Sequence, residues 1–306
     1  YNQFDFNANS NQNFGLDYQY LYKNINLFGE LAKSENGGIS HINGVMLGLD
    51  KTISASLLYR NYGKEYQSEY ANAFAERSSQ NEEGIYFGIE FTPNHKFKIK
   101  AYSDNYNFPW LRFGVDAPTK GTDYLVQTDY KINRAIKMYL RFKSENKQEG
   151  TSESTNINNK RKESLRFHLN YKENDSWSFA NRFEKSLTDF EQNKKSGYMI
   201  YQDIKYKPLF SKLSFTLRYV LFNTPDYDNR IYAYEHDVLY GYSIPSYYGQ
   251  GNRIYLVSKY NIIKNIDFWL RIAQTNYSDR QIIKSGWDEI NGNKMTELKI
   301  QLRYKF

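Results

Sequence analysis

The residues of this chain that could support acid–base, nucleophilic or metal chemistry are few. The histidines are His41, His95, His168 and His236, and no two of them have the spacing of metal ligands. The chain has no cysteine, which excludes disulfide bonds, thiolate metal sites and a cysteine nucleophile. A Gly-x-Ser-x-Gly motif is also absent. The sequence therefore predicts no catalytic residue, no metal site and no cofactor.

One short cluster still has the composition of an acid–base site. Glu235, His236 and Asp237 are consecutive within a long polar segment. General acid–base catalysis needs side chains that reach one another. Neighbouring side chains on an extended chain point to opposite faces, so His236 and Asp237 cannot simply pair. A hydrolase centred on His236 is therefore the alternative to the leading prediction, a protein without enzymatic activity.

Basic residues recur at alternate positions along the chain and form a larger candidate site. They are Lys98, Lys137, Arg141, Arg166, Arg218, Lys299 and Arg303. Acidic residues share the same faces, among them Glu90, Glu184, Asp203 and Asp267. Opposite charges on one face are compatible with an interior that is closed and made rigid by salt bridges. With a net charge of +7, the same face is also compatible with a basic conduit for anions or a polyanion.

A second candidate surface lies in the segment Asn223–Asn252, where aromatic and basic residues are interleaved. Its members are Arg230, Tyr232, Tyr234, Tyr240, Tyr242 and Tyr247. Such residues can stack nucleic-acid bases and hold phosphates, and they also suit a protein or glycan interface. Alternatively, residues 231–243 extend as a hairpin that packs on itself. The sequence does not separate these interpretations.

The elements that carry these residues are predicted from a period of two. In Leu298–Phe306, apolar residues alternate strictly with Lys299, Gln301, Arg303 and Lys305, which gives one apolar and one cationic face. The pattern recurs along the chain, whose composition is 18% aromatic. Mean hydropathy is −0.80, and no run approaches the roughly 18 apolar residues of a membrane-spanning helix. Repeated alternation predicts a transmembrane β-barrel with apolar residues toward lipid and polar residues toward the lumen.

Two classes of connection alternate along the chain. Short turns are predicted at 23–24, 50–51, 93–95, 133–134, 173–175, 208–212 and 264–265, with longer links between them. Short periplasmic turns that alternate with long external loops are typical of bacterial outer-membrane barrels. Residues 144–160, which are rich in charge, are predicted to be a mobile loop. Counting residues 1–6 as part of a strand, we expect an all-β, antiparallel barrel of about 16 strands, or a part of a larger one.

Several short segments resemble one known family. They are Phe28-Gly29-Glu30, Tyr59-Arg60-Asn61-Tyr62, Tyr70-Ala71-Asn72-Ala73-Phe74, Asn81-Glu82, Phe108-Pro109-Trp110-Leu111, Asp116-Ala117-Pro118, Arg230-Ile231-Tyr232-Ala233-Tyr234-Glu235 and Ser243-Ile244-Pro245. Together they resemble, over roughly residues 14–306, the C-terminal β-barrel region of Bacteroidota helix-hairpin-helix (competence-type) outer-membrane proteins. In that family a helix-hairpin-helix region precedes the barrel, and a DNA-related role is inferred from it. This sequence contains no such region, and no catalytic residue carries over.

These observations lead to one combined prediction. Residues 1–306 are expected to form a single outer-membrane barrel domain, the C-terminal part of a longer chain, in a Gram-negative bacterium. The expected function is a porin-like conduit or a barrel subunit of an envelope complex for export, assembly or DNA uptake. The expected partners are the lipid bilayer and lipopolysaccharide, with other outer-membrane or periplasmic proteins and nucleic acid as further candidates.

Overall fold

The computed structural model describes residues 2–151 and 154–306, and this part of the chain is almost entirely β-structure. Besides the 3-10 helices Asn2–Phe4 and Gly286–Asp288, it contains 19 strands. They are β1 Asn13–Tyr22, β2 Ile25–Ser34, β3 Ile39–Gly48, β4 Ile53–Tyr62, β5 Glu82–Asn94, β6 Phe97–Phe108, β7 Thr119–Lys131, β8 Ile136–Thr151, β9 Ser154–Lys172, β10 Trp177–Phe190, β11 Asn193–Tyr206, β12 Leu213–Thr224, β13 Ile231–Tyr232, β14 Ser246–Tyr247, β15 Gly249–Ile263, β16 Ile266–Tyr277, β17 Ile282–Ile283, β18 Ile290–Asn291 and β19 Lys294–Tyr304. Among the described residues, no helix is long and apolar enough to cross a membrane.

Fifteen of these strands form one sheet in which each strand pairs with the next one along the chain. The order is β1 to β12, then β15, β16 and β19. Neighbouring strands run antiparallel, from the pairing of Asn13 with Ser34 in β1 and β2 to that of Ile266 with Tyr304 in β16 and β19. The pairs β13–β14 and β17–β18 form two small separate sheets. The predicted all-β, antiparallel architecture is confirmed.

The short turns fall where the sequence places them. Lys23 and Asn24 connect β1 to β2, and Lys264 and Asn265 connect β15 to β16. Lys23 has a φ of 52°, and the primed turns that form two-residue hairpin loops require such a positive φ at their first central position. All seven predicted short connections separate consecutive strands of the sheet, so the alternation of short and long connections is confirmed.

The chain divides into two compact units. Unit 1 comprises residues 1–128, 142–163 and 189–193, and unit 2 comprises residues 129–141, 164–188 and 194–306.

In both units the sheet has its apolar residues on the exposed side and its charged residues on the buried side. In unit 2, Leu221 and Ile272 are both 44% exposed, whereas Arg271 on the opposite face is fully buried. In unit 1, Phe87 is exposed, and Arg60 and Glu82 are fully buried. A water-soluble sheet protein buries its apolar face and rarely buries charge, so this is the reverse of a soluble arrangement. An apolar solvent on the outside accounts for it.

Two sequence predictions are wrong in detail. Residues 2–6 do not contribute a strand, since Asn2–Phe4 forms a 3-10 helix, while Tyr1 lies outside the described residues. Side-chain contacts from the loops hold this segment instead. The carbonyl oxygen of Phe4 accepts hydrogen bonds from Gln67 Nε2 and Gln80 Nε2, each at 3.1 Å. The sheet accordingly contains fifteen strands where about sixteen were expected.

The predicted mobile loop at residues 144–160 is strand at residues 144–151 and 154–160, while residues 152 and 153 lie outside the described residues. Strand β8 continues to Thr151, and β9 begins at Ser154. An ion pair joins the two strands of this hairpin, since Lys160 Nζ on β9 lies 3.0 Å from Glu149 Oε2 on β8. Charged residues of alternating sign can thus hold two strands together where apolar residues are scarce.

Candidate functional site

The segment between β12 and β15 folds onto the polar face of unit 2. We call residues 225–248 the inner segment. The guanidinium of Arg218 on β12 donates to the carbonyl oxygen of Tyr234 at 2.6 Å. Arg182 on β10 donates to the carbonyl oxygen of Tyr232 at 3.0 Å. A hairpin that packs only on itself, one of the alternatives from the sequence, is therefore excluded, because this segment is hydrogen-bonded to strand side chains.

Glu235 is the main anchor of the inner segment. Its carboxylate is fully buried and accepts two hydrogen bonds from Arg253, at 2.8 and 3.0 Å. It also accepts from Arg271 Nη2 at 2.5 Å and from the Tyr247 hydroxyl at 2.5 Å. Glu297 on β19 completes the network, accepting from both guanidinium groups. The two buried cations of the sheet are thus shared between one acid of the segment, Glu235, and one acid of the sheet, Glu297.

His236 and Asp237 continue the attachment. Asp237 Oδ2 pairs with Lys299 Nζ at 2.6 Å, and the His236 amide donates to the Tyr255 hydroxyl at 3.2 Å. Burial lowers the pKa of His236 below its usual 6.5. Two charge effects are smaller: Asp203 raises that pKa, whereas the neighbouring cations lower it. Both carboxylates that flank His236 in sequence are therefore held by Arg and Lys.

Apolar packing fixes the ends of the inner segment. Ile231, Ala233 and Tyr247 are each at most 3% exposed. They pack with Met199, Tyr201, Val220, Phe222, Tyr277 and Ile283 in one cluster. These apolar contacts and the ion network hold the segment in one place, since buried apolar area and paired charges both disfavour its release.

Next to the inner segment, unit 2 contains a cavity of about 760 Å³. Seven cationic side chains line it: Arg134, Lys137, Arg166, Lys172, Arg182, Lys205 and Arg218. Asp203 is the one carboxylate of the lining. Tyr139, Tyr201, Tyr232 and Tyr234 supply aromatic walls, and His168 and His236 supply imidazoles. The volume lies within the range of small-molecule sites, and the lining favours an anion.

Some of these cations are neutralised and others are not. Arg166 donates to Glu184 at 2.8 and 3.1 Å, and Arg218 donates to Asp203 at 2.5 and 2.6 Å. Lys137 and Lys205 have no ion pair among the described residues. His168 Nδ1 is buried without a hydrogen-bond partner in the same part of the structure. The cavity therefore combines a rigid, paired framework with free cationic side chains.

The structure brings together three of the seven basic residues predicted for the lumen: Lys137, Arg166 and Arg218 all line the cavity. The guanidinium of Arg141 lies over the ring of Tyr139, with 5.5 Å to its centroid. The other three are outside the cavity lining, and each pairs with an acid. Lys98 pairs with Glu90, Lys299 with Asp237, and Arg303 with Asp267.

The predicted aromatic and basic set in residues 223–252 is divided by the fold. Tyr232 and Tyr234 line the cavity, whereas Tyr240 and Tyr242 are exposed. Arg230 lies over the ring of Tyr227, with 3.9 Å to its centroid. Tyr247 is 3% exposed because its hydroxyl donates to Glu235, so it is not part of an external surface.

Sequence reasoning missed Arg134, Lys172, Arg182 and Lys205 as members of the site. For Arg182 a signal was present, because it shares its face of β10 with Glu184, two positions away. Arg134 and Lys172 lie at a turn and a strand end, where alternation gives no guidance. No sequence signal indicated that residues 225–248 would fold onto the sheet.

Comparison with known proteins agrees with this architecture. No protein-family model and no curated protein matches the chain. Among solved structures, it is similar to the RagAB peptide importer in its open-open state, with 7% identity, a TM-score of 0.53, and coverage of 95% of this chain and 47% of that chain. A second RagAB structure gives 8% identity, a TM-score of 0.50, and coverage of 95% and 48%. The chain thus spans about half the length of the RagAB chains it matches.

A third similar structure is a loop-deletion mutant of OmpT, an outer membrane protein of Vibrio cholerae, with 12% identity, a TM-score of 0.46, and coverage of 95% of this chain and 89% of that chain. The RagAB likeness concerns the fold, and the exposed apolar rows supply the physical argument. The chain has the fold of the outer-membrane β-barrel class. Its predicted location in the bacterial outer membrane is confirmed.

Proposed function

We propose that the sheet is part of a closed barrel of about 16 strands. An antiparallel barrel has an even number of strands, so closure needs one strand beyond the fifteen of this sheet. Exposed edge strands are otherwise prone to aggregation, which closure prevents. Electrophoresis in dodecyl sulfate without boiling tests this proposal, because a closed barrel stays folded and migrates differently from the boiled chain. Identical migration would contradict closure.

We further propose that the protein is a porin-like, non-enzymatic conduit for small anionic solutes. The observation that carries this proposal is the cavity with seven cationic side chains and one carboxylate in its lining. In a closed barrel this cavity lies inside the lumen, and the inner segment narrows the passage beside it. Anions are concentrated at such a wall, because the cations raise the local potential and low-dielectric surroundings weaken screening.

Reversal potentials in planar bilayers test the conduit. With a salt gradient across the membrane, the purified protein is expected to show anion selectivity. The double substitution Lys137→Gln and Lys205→Gln should reduce that selectivity without unfolding the chain, since neither side chain has an ion pair among the described residues. Lys96→Gln, an exposed cation in a short turn of unit 1, is the matched control. Channels that show no anion preference would contradict the proposal, as would the absence of channels.

The proposal that the protein is not an enzyme has its own test. A hydrolase centred on His236 would need an acid or a nucleophile beside the imidazole. Glu235 is bound to Arg253 and Arg271, and Asp237 is bound to Lys299. These ion pairs favour a positional role for the cluster. Ester or peptide hydrolysis by the purified protein that is lost in His236→Ala would overturn this view.

A role within an envelope complex for export, assembly or DNA uptake stays a prediction of the sequence resemblance. Co-purification after mild detergent extraction tests it. Partners that elute with the protein would favour a complex, whereas a protein that elutes alone would favour an independent conduit.

A further inference from the structure

A second and smaller cavity lies in unit 1, at the end of the sheet opposite the short turns. Its volume is about 280 Å³. The loop after β4 contributes Lys64 and Arg77, and the loop after β6 contributes Trp110 and Arg112. The segment before β1 contributes Phe4 and Asp5, and Asp5 is the one carboxylate of the lining. This site is separate from the cavity of unit 2 in both its residues and its loops.

Side-chain amides hold the walls of this cavity in place. Asn81 Oδ1 accepts from the Trp110 amide at 2.8 Å, and Asn81 Nδ2 donates to the Trp110 carbonyl oxygen at 3.1 Å. Gln80 Nε2 donates to the carbonyl oxygens of Phe4 and Lys64 at 3.1 and 2.6 Å. Two residues before β5 therefore connect all three parts of the lining, which gives the cavity a defined shape.

The three cations of the cavity have no carboxylate partner among the described residues. The ammonium of Lys64 lies over the rings of Trp110 and Phe4, with 4.3 and 4.9 Å to their centroids. Arg112 donates to Thr119 Oγ1 at 3.1 Å and to the Gln148 carbonyl oxygen at 2.6 Å, which are both neutral. The exposed side chain of Arg77 makes no hydrogen bond or ion pair within residues 2–151 and 154–306.

The cationic side chains that line this cavity repel one another. Burial lowers the pKa of Arg112, and the charge of Arg77 lowers it further. Glu149 and Glu76 oppose this effect, each more weakly than Arg77. Like charges that face a common cavity repel until an anion lies between them. Guanidinium groups bind phosphate and carboxylate oxygens with charge-assisted hydrogen bonds.

A neutral donor accompanies the cations. The indole Nε1 of Trp110 is buried and has no acceptor among the described residues. An N–H group has a single hydrogen to donate and no capacity to accept, so its requirement is an acceptor atom. Three cations and the carboxylate of Asp5 leave the lining with about two net positive charges. This charge and one unsatisfied N–H match a ligand group with several acceptor oxygens and about two negative charges, as a phosphate monoester has.

We propose that this cavity binds a phosphate monoester group through Lys64, Arg77, Arg112 and the indole N–H of Trp110. Its volume lies just below that of typical small-molecule pockets, so it accepts the phosphate and only a small attached group. Such a group is available from soluble phosphorylated metabolites and from the phosphorylated head group of lipopolysaccharide. The proposal is independent of conduction through unit 2.

Calorimetric titration of the full folded chain in detergent tests the proposal. The probes are glucose 6-phosphate, glucose, and lipopolysaccharide with and without its phosphates. Binding of glucose 6-phosphate but not of glucose supports a soluble ligand. Binding only of phosphorylated lipopolysaccharide supports the lipid source. Failure of every phosphorylated probe to bind overturns the proposal.

Substitutions of lining residues test whether the ligand binds in this cavity. Arg77→Gln removes a side chain that holds nothing else in place, and it should weaken binding about tenfold or more, as loss of a charge-assisted hydrogen bond does. Lys96→Gln is the control and should leave the affinity unchanged. Trp110 fluorescence should respond to the ligand, and Trp110→Phe should remove that response. Equal affinity of Arg77→Gln and the unaltered protein would overturn the assignment.

Discussion

The attachment of the inner segment through Glu235 gives the sharpest prediction. Glu235→Gln keeps the size of the side chain but removes the fully buried charge that pairs with both Arg253 and Arg271. Both guanidinium groups are nearly or fully buried. The acids that remain beside them are Glu297, whose side chain is 34% exposed, and Asp237, whose Oδ1 lies 3.8 Å from Arg271 Nε. Loss of one partner from a buried ion pair costs about 3 kcal/mol.

This cost should appear as release of the inner segment. When the segment leaves the sheet, Arg253 and Arg271 become hydrated, so the open state avoids most of the penalty. A change of about 3 kcal/mol corresponds to roughly a 100-fold larger open population. Trypsin is a suitable probe, because Arg230 is the one Lys or Arg residue in residues 225–248. We expect cleavage after Arg230 to become about 100-fold faster at low protease concentration, where cleavage follows the open population.

A matched control and a clear refutation accompany this assay. Glu173→Gln removes an exposed acid from a short turn of unit 2 and should leave the cleavage rate unchanged. If Glu235→Gln is cleaved as slowly as the unaltered chain, the ion network does not hold the inner segment, and the role of Glu235 as its anchor is refuted.

Three further predictions concern the lipid-facing rows, the packing of the polar face and pH. Leu221→Arg places a charge on an exposed apolar row and should destabilise the chain folded in lipid vesicles by about 2–4 kcal/mol, measured by denaturant titration; a negligible change would argue against a lipid-facing row. In Gly84→Ala the new Cβ would lie 2.6 Å from Cζ of Arg60, a group held by two acids, so we expect a loss of about 1–3 kcal/mol in the same titration. His236 has a lowered pKa in the folded chain, so unfolding takes up a proton as the pH falls below 6.5; thermal stability should therefore drop between about pH 7.5 and about pH 5.5, and His236→Gln should reduce that drop.

The strands of the sheet could be predicted from the sequence alone. Each face of the sheet meets a different environment, apolar or polar, and this difference selects the type of every second residue. Leu298, Ile300 and Leu302 alternate with Lys299 and Gln301, and such a row has one low-energy placement, whatever the rest of the chain does. The short turns were equally readable, since each separates two such rows. The prediction for residues 1–6 failed because a few alternating residues cannot specify a strand without a partner, and the loop residues Gln67 and Gln80 bind them instead.

The candidate site was readable only in part. Alternation placed Lys137, Arg166 and Arg218 on the polar face correctly, because that information is local. The pairing of these residues with acids depends on the register of neighbouring strands. Their distance from the inner segment depends on where that segment folds. Neither quantity is encoded in residues close together in sequence.

The sequence by itself thus determined the strand pattern, the two kinds of face and the alternation of short and long connections. Only the tertiary structure decided that Glu235 lies between Arg253 and Arg271, at sequence separations of 18 and 36 residues. It also decided that Tyr232 and Tyr234 meet the basic residues of the sheet in one cavity, while Tyr247 is buried and donates to Glu235. The physical reason is that period-two patterning is a short-range response to solvent, whereas pairing of distant charges depends on the complete path of the chain.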